Sequence, residues 1–135
     1  MSAFTELELD YIARQRLGRL ATVDADGAPQ VNPVSVYYNA ALDCLDIAGH
    51  DMAASRKYRN VAAGGRAAIV VDDVESFQPR VIRCLEIRGA AEAIPEPTDS
   101  ATMMPGPIIR IHPRRIISWG IDPAESSRGR RSVAP

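Results

Sequence analysis

Lysine is almost missing from this chain. Lys57 stands alone, and arginine supplies the other fifteen cationic residues. Against the carboxylates they leave a net charge of −1, so no basic field covers the molecule, which disfavours general nucleic-acid binding. Any anion site must come from local clustering. Aromatic residues make up only 5%, leaving the core to Val, Ile, Leu and Ala. Cys44 and Cys84 lack CxxC spacing and read as small buried hydrophobes in a reducing compartment rather than as a bridge or metal site. No run approaches the roughly 18 apolar residues a membrane span needs. Met1 to Asp10 has neither the basic start nor the apolar run of a signal peptide. The expectation is a cytoplasmic protein with no membrane partner.

Chemical signatures are scarce too. His50 and His112 have no second ligand at metal spacing, so no metal is expected. Ser35 and Ser55 lack a recognisable His/Asp set, and Gly-x-Ser-x-Gly is absent, which leaves hydrolase chemistry unsupported. Dinucleotide and P-loop glycine fingerprints are missing as well.

What is present is the punctuation of a small β protein. With 135 residues, one domain is the natural prior. Thr5 and Glu8 form a capping box, Phe4 can staple against Leu9, and Leu9, Ile12, Ala13 and Leu17 recur at helical spacing. A strand ending at Val23, the turn Asp24 to Gly27, a strand from Gln30 to Tyr38 and a third from Cys44 to Gly49 come next. Their short connections force an antiparallel meander. A second helix is predicted over Met52–Ala63, stopped by Gly64-Gly65. Ala67 to Val71, Val81 to Ile94 and Ile108 to Ile121 read as strands, with a proline-rich loop from Pro95 to Pro107 and a bend near Pro113. If alternation survives the bend, Arg110 and Arg114 share a face and Arg115 opposes them. Residues 1–121 form the expected domain and residues 122–135 a disordered tail. Six strands with hairpin-length turns and two helices describe a small antiparallel barrel with helical plugs.

Three places carry candidate chemistry. Ser55-Arg56-Lys57 lies near the start of the second helix, where the dipole and exposed N–H groups favour an anion. The same residues also fit a merely solvated helix face. Asn32-Pro33 interrupts the second strand, so that strand is edged or bulged there, either as protection against aggregation or to leave backbone free for a flat ligand. Trp119, the only tryptophan, fits core, interface or ring-stacking surface. Arg110, Arg114 and Arg115 either pair with Glu86 and Glu92 or join an anion site.

In order and spacing, several segments together resemble the pyridoxamine 5′-phosphate oxidase-like, FMN-binding split-barrel superfamily, on its coenzyme F-420-dependent branch. They are Arg16 to Val23, Asp26-Gly27-x-Pro29-x-Val31-x-Pro33-Val34, Ile47-x-Gly49-His50, Ser55-Arg56-Lys57-x-Arg59-Asn60-Val61, Val70 to Asp73, Ile87-Arg88-Gly89-x-Ala91-Glu92, and the run from Ile109 to Gly120. The resemblance implies a six-stranded antiparallel split barrel and a homodimer with cofactor at the subunit interface. It implies that Ser55, Arg56 and Lys57 hold a cofactor phosphate, and that Val34, Ser35 and Val36, led in by Asn32 and Pro33, lie against its rings. Gly49 and His50 would form the corner beside the ring, and Trp119 would help complete the partner's site. The chain lacks the C-terminal extension with which pyridoxamine phosphate oxidases grip substrate, so vitamin B6 oxidation is not expected.

The expected function is oxidoreduction: hydride transfer between coenzyme F-420, or alternatively FMN, and a small conjugated organic substrate. The cofactor carries the chemistry, so no catalytic side chain is expected. A cofactor or tetrapyrrole carrier without turnover is the rival reading, and a cofactor-free interaction protein is a third.

Overall fold

The structure is a computed structural model that describes residues 1–124 and 129–135. Helix α1 (Glu6–Gln15) opens as the sequence predicts. Thr5 Oγ1 accepts from the Glu8 amide at 3.1 Å, and Glu8 returns a carboxylate oxygen to the Thr5 amide at 2.9 Å. Phe4 belongs to the core cluster and Leu9 packs against it. Arg16 ends the helix in the left-handed region and turns the chain into β1 (Leu17–Val23). Strands β2 (Pro29–Asn39) and β3 (Cys44–Ala48) complete the expected meander. The turn between β1 and β2 is held by Asp24, whose carboxylate accepts from the amides of Asp26 and Ala28, both at 2.9 Å.

Three long strands come after helix α2 (Arg56–Gly64): β4 (Arg66–Phe77), β5 (Arg80–Ile94) and β6 (Ile108–Trp119). The order β3-β2-β1-β4-β5-β6 closes on itself because β6 also pairs with β3. Six strands thus make a ring, as expected. The other stretch of that β6 edge, Arg115 to Ser118, pairs with a short seventh strand, β7 (Gly129–Ser132). Inside the ring lie Leu20, Val36, Ile47, Ile69, Leu85, Ile87, Ile111 and Ile116, an aliphatic core of the kind the composition demands.

Four expectations need correction. The predicted helix over Met52–Ala63 is two pieces, a 3-10 turn at Met52–Ala54 and α2, because Ser55 adopts extended backbone and caps the second piece. The strand predicted to end at Val71 runs to Phe77, where β4 and β5 pair with each other alone as a ribbon. The tail expected to be disordered instead forms β7 over Gly129–Ser132. A specific charge contact holds it: Arg131 donates to the carboxylate of buried Glu8 and to the Ala3 carbonyl. The part of that expectation falling on residues 125–128 lies outside the described residues.

The fourth concerns alternation along β6. Arg88 pairs with Arg115 but Gly89 with Pro113, so Arg114 is an extra residue and the strand is bulged. Facing sides swap across the bulge, and Arg110 shares a face with Arg115. The approach here is close. A Cβ on Gly89 would lie 1.9 Å from the His112 carbonyl oxygen, so only glycine fits opposite the bulge.

Candidate functional site

Pro33 sits where the ladder tolerates it. Strand β2 pairs with β1 from Pro29 to Ser35 but meets β3 only from Ser35 onward, so at Pro33 one edge is open and no donor is missed. Along β2 the alternation sends Val34 and Val36 into the core and leaves Pro33 and Ser35 exposed; Asn32 is half-buried. Val34 and Val36 are thus core residues, and the exposed side chains of this stretch are those of Pro33 and Ser35. Ser35 pairs with Ala48, which brings it beside the Gly49-His50 corner.

Ser55 to Lys57 lie at the start of α2. The Ser55 hydroxyl donates to the Met52 carbonyl at 2.6 Å and accepts from the Tyr58 amide at 3.3 Å. A hydroxyl has one hydrogen to donate, and here Ser55 gives it to Met52 while capping the helix. Arg56 and Lys57 are different. Among the described residues no carboxylate pairs with either side chain, and no protein acceptor takes their backbone N–H groups. Two cations and two first-turn amides at a helix start suit a phosphate.

Arg56 shares a depression of about 320 Å³ with Asp24, Ala28, Pro29, Gln30 and Asn60. The Asp24 carboxylate is turned onto its own loop, and Asn60 donates to Thr22 at 3.0 Å, pinning α2 to β1. Pro29 also borders a groove of about 380 Å³ that runs over Ala21, Ala68 and Gly89 between Arg66 and Arg88. A cationic corner thus opens into a shallow channel floored by the smallest side chains. Sequence reasoning missed this floor. Ala21 and Ala68 are cross-strand partners on the outer face, and that juxtaposition requires the β1–β4 register, which no local pattern encodes.

Trp119 stands apart. It faces outward beside Cys84, four residues along β5 from Arg88, or roughly 13 Å. Within one chain the structure does not bring it to the corner at Ser55–Lys57. The described residues hold no group of three or more His, Cys, Asp or Glu placed to share a metal ion. No helix among them is long and apolar enough to cross a membrane.

The sequence also missed a buried ion cluster. Arg110 gives two hydrogen bonds to Asp46, at 2.8 and 3.2 Å, and one to the Asp99 carboxylate at 3.1 Å. Asn39 and the Ala101 amide complete the shell of Asp46. Arg110 is therefore structural, with partners other than the expected Glu86 and Glu92, which pair with Arg88 and His112. Burial raises the Asp46 carboxyl, but the bonds from Arg110, Ala101 and Asn39 outweigh it and hold the group below the ordinary range. Cys44, beside it, is pushed up to about 11 by burial and by the Asp46 charge.

A closed antiparallel ring with its polar opening at a strand-to-helix corner defines the split-barrel class. Comparison with known proteins agrees. A family model described as pyridoxamine 5′-phosphate oxidase matches residues 4–132, and the chain belongs to that family. It is 46% identical over 122 residues, 88% of this chain and 84% of the relative, to a 5a,11a-dehydrotetracycline/5a,11a-dehydrooxytetracycline reductase of Streptomyces rimosus subsp. rimosus. Among solved structures, a conserved hypothetical protein from Mycobacterium tuberculosis superposes with a TM-score of 0.68 at 23% identity, covering 95% of this chain and 94% of the other. An F-420 reductase superposes with a TM-score of 0.58 at 27% identity, covering 77% and 90%.

Proposed function

We propose that this oxidoreductase uses coenzyme F-420, with FMN as the alternative, to reduce a carbon–carbon double bond in a small conjugated organic substrate. The observation that carries the reading is the pair Arg56 and Lys57, without a carboxylate partner among the described residues, of which Arg56 lines a depression that shares Pro29 with an apolar channel. The likeness to a reductase of dehydrogenated tetracyclines and to an F-420 reductase supports both the reaction and the cofactor.

The residues present fit such a cofactor. Arg56 and Lys57, with their backbone amides, would hold the phosphate. The small side chains Ala21 and Ala68 leave room for a flat ring against the sheet, and Arg66 and Arg88 border it. When bound, the reduced cofactor supplies a hydride, and a proton from water completes the reduction. The protein's own part is to bind, orient and exclude solvent, which needs no acid or base among its side chains.

A second copy of the chain is part of the proposal. The outer face of β2, β1 and β4 carries Val31, 64% exposed, and Leu17, 51% exposed, with Pro33 and Val70 between them. A copy seated on that face would roof the channel and could bring its own Trp119 toward it.

The test is a fluorescence titration of the purified protein with coenzyme F-420 and with FMN, alongside its absorption spectrum as isolated. Micromolar or tighter binding of one of them is expected; binding of neither ends the reading.

A further inference from the structure

The cationic corner and the channel floor are carried by different elements. Arg56 and Lys57 stand on α2, whereas Ala21 lies on β1 and Ala68 on β4. A ligand that spans them depends on how α2 is set on the sheet. The far end of the helix is firm: Val61 is buried in the core, and the Gly65 carbonyl accepts from the Ala91 amide of β5 at 2.9 Å. The nine residues of α2 span roughly 13 Å, so a small pivot about that end displaces the cations most.

Asn60 holds the near end. It stands one turn after Arg56, on the same side of the helix, and is only 6% exposed. Asparagine is a poor helix former and costly to bury, so its place here calls for a partner. Its carboxamide N–H donates to Thr22 Oγ1 at 3.0 Å, and Thr22 is buried as well. The Thr22 hydroxyl is directed in turn at Gln30 Oε1, 3.5 Å away. Among the described residues, no other side chain of α2 makes a hydrogen bond or ion pair with another element.

Thr22 is where the two halves of the site meet. Ala21 and Val23, on either side of it, line the channel, while Asn60 and Gln30 line the depression that Arg56 borders. Successive residues of a strand point to opposite faces. Strand β1 therefore receives the helix on one face and offers channel floor on the other. The Asn60–Thr22 bond ties the cationic end of α2 to the back of that floor.

We propose that Asn60 and Thr22 are positioning residues: their hydrogen bond sets the distance from Arg56 and Lys57 to the channel floor, so that one cofactor engages both at once. The proposal rests on the functional reading above. Two contacts joined in one ligand reinforce each other only where their spacing matches that of the sites. With the bond gone, the cationic end of α2 swings, and phosphate and ring no longer reach their places together. The loss falls on the intact cofactor and spares its parts.

The test compares intact cofactors with their parts in the full chain. The probes are coenzyme F-420 and FMN, the phosphate-free 8-hydroxy-5-deazariboflavin and riboflavin, and inorganic phosphate, read by fluorescence and calorimetry. Thr22→Val keeps the side chain's shape but deletes its hydroxyl. It should weaken whichever cofactor binds about tenfold, while the ring fragment and phosphate stay within about twofold. Thr22→Ser restores the hydroxyl and should recover the wild-type affinity. Asn60→Ala removes the donor and should reproduce the loss, so the reading does not hang on one variant folding. Combined with Thr22→Val, it should add little further. Unchanged cofactor affinity in folded Thr22→Val, an equal loss for cofactor, fragment and phosphate, or no recovery in Thr22→Ser overturns the proposal. A wild type that binds neither cofactor overturns the functional reading and this proposal with it. Cofactor binding that ignores both substitutions overturns this proposal alone.

Discussion

Two cationic sites in this protein differ in how their charge is met. Arg110 is buried and meets Asp46, Asp99 and the network around Asn39, so each charge has its counter-charge within the chain. Arg56 and Lys57 sit at a helix start with no carboxylate partner among the described residues. The difference arises from desolvation. A buried charge must be compensated where it sits or the fold suffers, whereas a charge at the mouth of a groove can wait for a ligand. Compensation within the chain therefore marks the structural cluster, and its lack is what supports the recognition role proposed for Arg56 and Lys57.

The comparison is most severely tested by Asp46→Asn. It leaves the Arg110 charge buried without its main counter-ion and should cost about 3–5 kcal/mol in chemical denaturation. The same carboxylate predicts an acid limb. Its folded value lies below its unfolded one, so its contribution is complete above about pH 4 and is lost as pH falls through the folded value. The variant should show a flatter loss of stability in that window. An equally steep limb would assign it to other carboxylates.

Next in size is charge reversal at the recognition cluster. Arg56→Glu with Lys57→Glu should weaken cofactor binding about a hundredfold while leaving the melting temperature nearly unchanged. Unfolding instead of lost affinity would show that these cations, like Arg110, serve the fold. The smallest effect is expected for Ser55→Ala. Removing the cap should cost about 1 kcal/mol of stability, with cofactor affinity kept within about threefold. A collapse of affinity there would mean that the hydroxyl leaves Met52 for the ligand.

What the sequence revealed was local. The Thr5–Glu8 capping box, the Asp24 turn and the edge position of Pro33 each depend on a few consecutive residues and their fixed preferences. The barrel emerged from counting such segments and from the length of the turns between them. The resemblance pointed to the right family and to the cationic corner. What stayed hidden depends on partners far away in sequence. The role of Arg110 is set by Asp46, 64 residues earlier, and β7 exists because Arg131 reaches Glu8, 123 residues back. Ser55 was ambiguous for a subtler reason: a serine that begins a helix looks the same in sequence whether its hydroxyl caps the helix or greets an anion.

The extra residue at Arg114 has a consequence for how β6 can change. On one side of it Ile109, Ile111 and Pro113 turn inward, and on the other Ile116 and Ser118 do. Removing that one residue would leave Gly89 opposite Pro113 and Arg88 opposite Arg115 in an unbroken ladder, with Ile116 still facing the barrel and Trp119 still outside it. The swap of sides is thus a property of the inserted residue alone, and this is the one point where the strand can lose a residue without inverting either half.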